Sequence, residues 1–384
     1  MDRIYDVAVV GGGLVGKAAA IAAARRGLAV LHLAPAGRPD ARTSALMNPA
    51  VDFLFAQGYF TRPSEIGTPL AEVRIIDATG RFFRAPEAHF RAGEAGLEAF
   101  GWNFANLKLG AAMDRQGDAL PALARQVSAL ASAERKEGLW TLVLGDGTLA
   151  RTRLLVGADG KGSKVRETLG IPARRIDYAQ SALVCDLTLE RPLGACSVEF
   201  HYPEGPFTLV PAGGNAANLV WIDRADVLDA ARADAARFAA ALAKRSQRLF
   251  GAITVETRPV VFPLSHLSVS EAGRDGAVLL GEAAHAFPPI GAQGLNLGLR
   301  DVAALDAILG EPARDEGWAD RAAARYSKEQ TPDMAQTGLF VRTLFGSLAS
   351  DALPAQALRS AGLWALTTAP GLRKGAFAFG MGRR

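Results

Sequence analysis

The chain has 384 residues, more than the roughly 250 to 300 at which a single hydrophobic core stops growing, so two lobes and a tail are expected. Hydrophobic residues make up 49% and charged residues 21%, an ordinary globular balance, and a net charge of +4 spread along the chain argues against nucleic acid as a partner. Two cysteines, Cys185 and Cys196, cannot build a disulfide framework and lack metal-ligand spacing; both are expected to be reduced and buried, with no metal site.

At the N-terminus Arg3 precedes an apolar, Ala-rich run, but Asp2, Asp6, three consecutive glycines, Lys17 and Arg25-Arg26 interrupt it, so it does not read as a secretion signal. No stretch of 18 uninterrupted apolar residues occurs, so no membrane-spanning helix is expected. Residues 5–10 form a short β-branched run, "GGGLVG" a turn, 17–26 an Ala-rich helix stopped by Gly27, and "LAVLHLA" a second strand. In this βαβ unit Gly11 makes the tight turn, Gly13 lets backbone approach a pyrophosphate, and Gly16 lets helix pack on strand. The phosphates would sit at the helix N-terminus. A dinucleotide site usually has Asp or Glu at the end of the second strand to hold the ribose; here Ala34 stands there, after His32, and the next acid is Asp40. Either His32 or a loop group holds the ribose, or Arg38 accommodates the extra phosphate of NADP in an ordinary dehydrogenase.

Further along, "EVRIIDATGRFFRAP" reads as a hairpin inserted into the first lobe, residues 118–133 as a helix, and "GLWTLVLGDGTLARTRLLVGADGKGSKVRETLGI" as two strands joined by Gly145-Asp146-Gly147, then a third ending in a glycine turn. After Ile176 short strands dominate, with one helix over 227–249, so the second lobe is expected to be mostly antiparallel. The first lobe's style returns with "GAVLLG" and a helix over 295–309, whose Leu295, Leu299, Val302, Leu305 and Leu309 share one face. The predicted fold class is α/β with an α+β second lobe. A discontinuous Rossmann-like domain covers 1–175 and 266–320, with the hairpin at about 70–90; an antiparallel substrate domain covers 176–265, and a helical C-terminal region 321–384.

"GEAAHAFPPIGAQGLN" follows that late strand. Glu282 can accept hydrogen bonds from sugar-like hydroxyls, Pro288 and Pro289 stiffen the loop, and Gly291 and Gly294 remove side chains so that backbone can lie against a planar ring. The helix begins near Gln293, Leu295 and Asn296 and points its positive end at that ring, which favours a reduced flavin anion by about 1 kcal/mol. A nicotinamide leaves no anion on reduction, so the stretch points to a flavin.

Taken together, "GGGLVG", "GADGKGSKVRE" and "GEAAHAFPPIGAQGLNLGLRD" resemble the FAD-dependent aromatic-ring monooxygenases of the para-hydroxybenzoate hydroxylase fold, and within them the ubiquinone-biosynthesis hydroxylase group. "RTSALMNPAVDFL", "FGWNFANLKL", "EGPFTLVPAGG" and "VVFPLSHL" extend the likeness along nearly the whole chain. The resemblance implies that Gly11, Gly13 and Gly16 cradle the FAD phosphates. It also implies that Arg42 and Asn106 reach the cofactor, and that Asp159 and Gly160, with Ser163 and Arg166, touch the pyrophosphate. Glu282 would hold the ribityl chain, and Pro289, Gly291, Ala292, Gln293, Gly294, Leu295 and Asn296 the flavin ring.

Three positions depart from the pattern: Glu282 for Asp, Ala292 for Gly, and Ala34 for the ribose-binding acid, the last predicting loosely held FAD. The resembling enzymes form a flavin hydroperoxide with dioxygen, reduced by NAD(P)H or an electron-transfer protein. No side-chain acid or base is assigned, and His285 is expected to be a packing or hydrogen-bonding residue of the loop. Phe207, Leu209, Trp221 and Phe287 are the expected substrate liners. The basic, aromatic tail over 352–384, with Arg359, Trp364, Arg373 and Lys374, suits an anionic membrane surface. The expected substrate is a lipid-tailed phenol, and the expected location cytoplasmic, peripheral on the inner face of the membrane. A hydroxylase of another aromatic compound and a flavin-poor scaffold of a biosynthetic complex are the alternatives.

Overall fold

β1 (Ile4–Val10), α1 (Leu14–Arg25) and β2 (Val30–Leu33) begin the computed structural model, which describes residues 3–37, 40–80, 86–311 and 315–349. Val7 to Val10 are buried, as strands covered on both faces require. α1 buries an unbroken run from Ala18 to Ala24; small side chains let the helix lie close to its neighbours. Gly27, at φ 74°, ends it.

β3 (Thr43–Met47), α2 (Asn48–Ala56), β4 (Gly67–Leu70), β5 (Glu72–Asp77), β6 (Ala88–Arg91) and β7 (Gly101–Ala105) follow. β3, β7 and β4 form a small antiparallel sheet. β5 forms the first strand of the expected hairpin, but its antiparallel partner is β6, beyond the quoted stretch, and residues 81–85 of the expected second strand lie outside the described residues; nor does the pair belong to the first sheet, since β5 lies parallel to β13 (Cys196–Tyr202) and extends the large second sheet.

The predicted helix over 118–133 is not formed. α3 (Asn106–Asp118) ends where that helix was to begin, and β8 (Leu123–Gln126) and β9 (Leu130–Lys136) occupy its span. β8 docks as an edge strand on β2, and β9 pairs with β10 (Leu139–Leu144), so tertiary pairing overrides the helical preference of Ala and Leu. β11 (Leu149–Gly157) returns between β1 and β10, parallel to the former and antiparallel to the latter.

After α4 (Lys164–Thr168) come β12 (Ala173–Leu189), β13, β14 (Gly205–Pro211) and β15 (Ala216–Arg224). The single helix expected over 227–249 is two, α5 (Ala225–Ala231) and α6 (Ala235–Arg245), because the Asp234 side chain caps the second by accepting the Arg237 amide at 2.8 Å. β16 (Ile253–Val255) and β17 (Val260–Val269) lead to β18 (Gly273–Arg274), β19 (Ala277–Leu279), β20 (His285–Ala286), α7 (Gln293–Leu309) and α8 (Trp318–Ala349).

The first sheet runs β18-β19-β11-β1-β2-β8, with β10 and β9 alongside β11; the second runs β20-β17-β12-β15-β14-β13-β5-β6, with β16 on β12. Since β19 pairs parallel with β11, the chain does return to the first sheet after building the second. α5 and α6 cover one face of the second sheet, where Leu228, Phe238 and Leu242 pack with Phe200, Phe207, Leu209 and Trp221. The opposite face meets the loop before α7 through Ile290 and the far half of α8 through Phe345.

Candidate functional site

The β1–α1 turn is shaped by contacts that only glycine permits. A Cβ on Gly11 would lie 2.0 Å from the Ala158 carbonyl oxygen, and one on Gly16 would lie 2.0 Å from the Gly11 oxygen. At Gly13, by contrast, a Cβ would meet nothing within 4 Å, and this residue caps α1 with no side-chain hydrogen bond and no acid in the first turn. The helix therefore presents free amides to open space. His32, expected as one ribose holder, is buried and its Nε2 donates to the Gly11 oxygen at 2.9 Å; burial holds its pKa below the ordinary value. It braces the turn from behind. Ala34 leaves the end of β2 without a carboxylate, and Arg38 lies outside the described residues.

Arg42 pairs with Asp40 through Nε at 2.8 Å and Nη2 at 2.9 Å. Asn106 donates to Asp40 at 2.9 Å and accepts from Ser44 Oγ at 2.7 Å. These bonds outweigh the opposing effect of burial and leave the Asp40 pKa low, while Asp40, and at longer range Glu282, keep Arg42 protonated. Arg42 and Glu282, 240 positions apart, are thus near enough to act on each other electrostatically. Asp159 accepts from Ser163 Oγ at 2.5 Å and from the Lys164 amide at 2.7 Å, so it fixes the turn through Gly160 at φ 80°. Arg166 ties this turn to the late loop by donating to the Ala283 oxygen at 2.8 Å.

In the late loop Glu282, Pro289, Gly291 and Gly294 are exposed, whereas Gln293 and Asn296 are buried. The buried pair builds the loop from inside: Gln293 donates to the Gly291 oxygen at 2.9 Å, and Asn296 accepts the Met47 amide at 2.8 Å and donates to Ala45 at 2.9 Å. Ala292 caps α7 at φ 54° without a side-chain hydrogen bond, so the amides of the first turn, up to Leu295, face outward. Gly298 lets α7 lie on α1, since a Cβ there would sit 2.7 Å from Val15. Beneath the loop His285 donates to Asp301 at 2.7 Å, both side chains buried. Phe287 stacks on His285 with centroids 5.5 Å apart and lies 5.1 Å from His266. Its packing partners belong to the core of the first lobe. His285 is the expected hydrogen-bonding residue; its partner Asp301, in the middle of α7, ends the stretch "GEAAHAFPPIGAQGLNLGLRD", and only the fold shows the two to be joined.

The substrate liners are corrected by strand parity. Phe207, Leu209 and Trp221 are buried under α5 and α6, Phe207 edge-on to Trp221 at 5.8 Å. On a strand the alternate residues face the other way, so Thr208, Val210, Val220 and Ile222 point to the side of the loop. Among them Thr208, Val210 and Val220 are half-buried in the middle of a nine-stranded sheet, where a closed core would bury them fully.

Both thiols are neutral, burial pushing Cys185 up to about 12 and Cys196 up to about 11. Cys196 has company that spacing did not reveal: Glu72 and His89 bring their ligand atoms within 4.8 Å. Arg91, which donates to His89 at 3.1 Å, makes the spot unfavourable for a cation. A surface groove of about 660 Å³ between β18 and α8, lined by Arg274, Asp320 and Lys328 among others, includes no residue of the late loop.

Comparison with known proteins agrees with this geometry. A family described as "FAD binding domain" matches residues 127–338. Ubiquinone hydroxylase UbiL of Rhodospirillum rubrum is 34% identical over 374 residues, covering 92% of this chain and 84% of that protein. The 3-demethoxyubiquinol 3-hydroxylase of Escherichia coli K12 is 29% identical over 392 residues, with 98% of each chain covered. In fold, p-nitrophenol 4-monooxygenase PnpA of Pseudomonas putida superposes with a TM-score of 0.80 over 100% of this chain and 99% of its own at 18% identity. HpxO of Klebsiella pneumoniae, solved with FAD and uric acid, also gives 0.80 at 18% identity, over 98% and 97%.

The match to an FAD binding domain, the hydroxylase relatives and the shared fold together make this chain an FAD-dependent aromatic-ring monooxygenase. Within that class the chain belongs to the ubiquinone hydroxylase family.

Proposed function

We propose that this protein hydroxylates the ring of a polyprenylated phenol on the way to ubiquinone, with dioxygen as co-substrate and NAD(P)H or an electron-transfer protein as reductant. One observation carries the reading. The uncapped start of α7, bordered by exposed Glu282, Pro289, Gly291 and Gly294, lies next to Ile290, which packs on the half-open face of the second sheet. The names of the relatives, ubiquinone hydroxylase and 3-demethoxyubiquinol 3-hydroxylase, support the substrate class.

FAD fits the residues present. Gly13, Gly160 and Gly294 each leave 4 Å of open space where a side chain would project, and no carboxylate stands in the first turn of α1 or α7. Gly11, Gly13 and Gly16 with the α1 amides would hold the pyrophosphate, assisted by Arg42, Asn106 and the Asp159–Gly160 turn, and Glu282 the ribityl hydroxyls. Bound there, FAD supplies the redox chemistry and oxygen activation that side chains lack. The α7 amides favour negative charge at the ring edge by about 1 kcal/mol, while Ile290 and Phe287 help exclude water. With Ala34 in place of an acid, ribose hydroxyls lose a charged partner worth roughly 1 to 3 kcal/mol, so FAD binds loosely. No helix among the described residues is long and apolar enough to cross a membrane. Attachment to a membrane surface through the basic tail rests on residues 352–384, outside those described.

The test combines a visible spectrum with a deletion strain. The purified protein given excess FAD should show flavin bands that bleach with reductant and return in air, and the strain should accumulate a prenylated phenol lacking one ring oxygen. Absence of flavin binding even at excess FAD supports a scaffold role and sinks the reading; so does an unaltered pattern of quinone intermediates.

A further inference from the structure

One row of residues crosses the loop-side face of the second sheet. Glu199 on β13 pairs with Thr208 on β14, Thr208 with Val220 on β15, Val220 with Val184 on β12, and Val184 with Val260 on β17. The first four are half-buried and Val260 is 55% exposed. The parity is fixed independently, since Val198, Phe200, Phe207, Leu209 and Trp221 all point to the helix-covered side. One neighbouring row is closed: Pro206, Ile222 and Ala182 are buried there, Ile222 and Ala182 packing with Ile290 and Phe345. On the other side Asn218 is locked to Asn103 of the small sheet at 2.8 Å. A strip that stays open beside one closed row, and beside a second row in which Asn218 is buried and Val210 half-buried, is a trough, and at about 4.8 Å per strand its four steps span about 19 Å.

The trough is chemically lopsided. At its inner end Glu199 accepts from His201 Nε2 at 2.7 Å, the histidine being buried, which leaves the second carboxylate oxygen without a hydrogen-bond partner among the described residues. Thr208 adds a hydroxyl. Beyond it come three valines in a row, the last at the surface. A ligand with a hydroxylated ring and a long hydrocarbon tail has the same lopsidedness: a half-buried carboxylate gains from a hydroxyl donor, and valines gain only from hydrocarbon.

The geometry points to a substrate trough in which Glu199, oriented by His201, takes the phenol hydroxyl while the prenyl tail runs over Thr208, Val220 and Val184 and leaves the protein across Val260. This assignment rests on the prenylphenol reading above and adds its direction and its anchoring residues. Glu199 is the group in contact with substrate; His201 acts through it, holding the carboxylate in place.

Binding without turnover tests it. The FAD-loaded, oxidised protein is titrated calorimetrically with 2-prenylphenol, 2-geranylphenol and 2-farnesylphenol. In the wild type each added isoprene unit should tighten binding by about tenfold. Val184→Glu, which places a charge in the track, should flatten that dependence to within about twofold while the one-unit probe binds nearly as before. Glu199→Gln should weaken all three probes by a similar factor of about tenfold, and His201→Gln by less, with FAD content and melting temperature unchanged. Length dependence surviving in Val184→Glu, or undiminished binding by Glu199→Gln, overturns the trough. The functional reading fails separately, if the protein binds the probes in this pattern but its reduced form in air adds no oxygen to them.

Discussion

His285 and Asp301 are joined at 2.7 Å between Nε2 and Oδ2 with 1% and 0% of their side chains exposed, and the same oxygen accepts the Gly281 amide at 2.9 Å. One carboxylate in α7 thereby fixes both ends of the short turn carrying Glu282. Removing one partner leaves the buried polar atoms of the other unpaired, at a cost of about 1 to 3 kcal/mol. Asp301→Ala should therefore lose about that much in urea unfolding, with weakened FAD binding. His285→Gln, which keeps a donor, should lose less than half of it. Equal losses would show that the contact is packing alone.

Ala292 takes φ 54° at the start of α7, a left-handed conformation that costs a residue with a Cβ about 1 to 2 kcal/mol. Glycine should relieve it. Ala292→Gly is expected to raise stability by about 1 kcal/mol and to bind FAD at least as tightly, whereas Ala292→Val, branched at Cβ, should lose both. Thermal melting with and without added FAD reads the two effects.

The parts legible in the sequence are those where one residue type answers a local demand. Gly11 and Gly16 sit where a Cβ would collide with backbone at 2.0 Å, so the turn announces itself, as does the late loop at Gly291, whose φ is 62°. Misread segments depended on distant partners. Leu123–Gln126 is a strand only because β2 has a free edge, and the hairpin of β5 and β6 joins the second sheet through β13, neither of which leaves a local mark. The Asp234 cap is masked in the sequence by the Ala-rich stretches on both sides of it. For Phe207 and Trp221 the residues were sound as strand but their face was not, since alternation tells which residues go together and not which side meets the helices.

His266 is held to a pKa of about 4 by burial, with Arg342, Arg174 and His285 adding to the effect. Because the folded value lies below the unfolded one near 6.5, the unfolded chain binds the extra proton more strongly. This contribution is complete above about pH 6.5 and is lost as pH falls toward 4. Allowing for solvent, unfolding free energy should drop by about 1 kcal/mol between pH 7 and pH 5 through this group. His266→Phe, which keeps a ring against Phe287, should remove that part of the slope in urea titrations at the two pH values. An unchanged slope would assign the loss to other groups.

The two faces of the second sheet should answer differently to the same truncation. Phe207 is wholly buried among Phe200, Trp221 and the helix-borne side chains, so Phe207→Ala removes packing on all sides and should cost about 3 to 5 kcal/mol. Val220 is half-buried on the opposite face, where space lost by the side chain opens toward the trough. Val220→Ala should cost no more than about 1 kcal/mol, but should alter the relative affinity for prenylphenols of different length. Urea unfolding and ligand titration of the two variants separate a core position from a lining one, and the reverse pattern would return Phe207 to the substrate side.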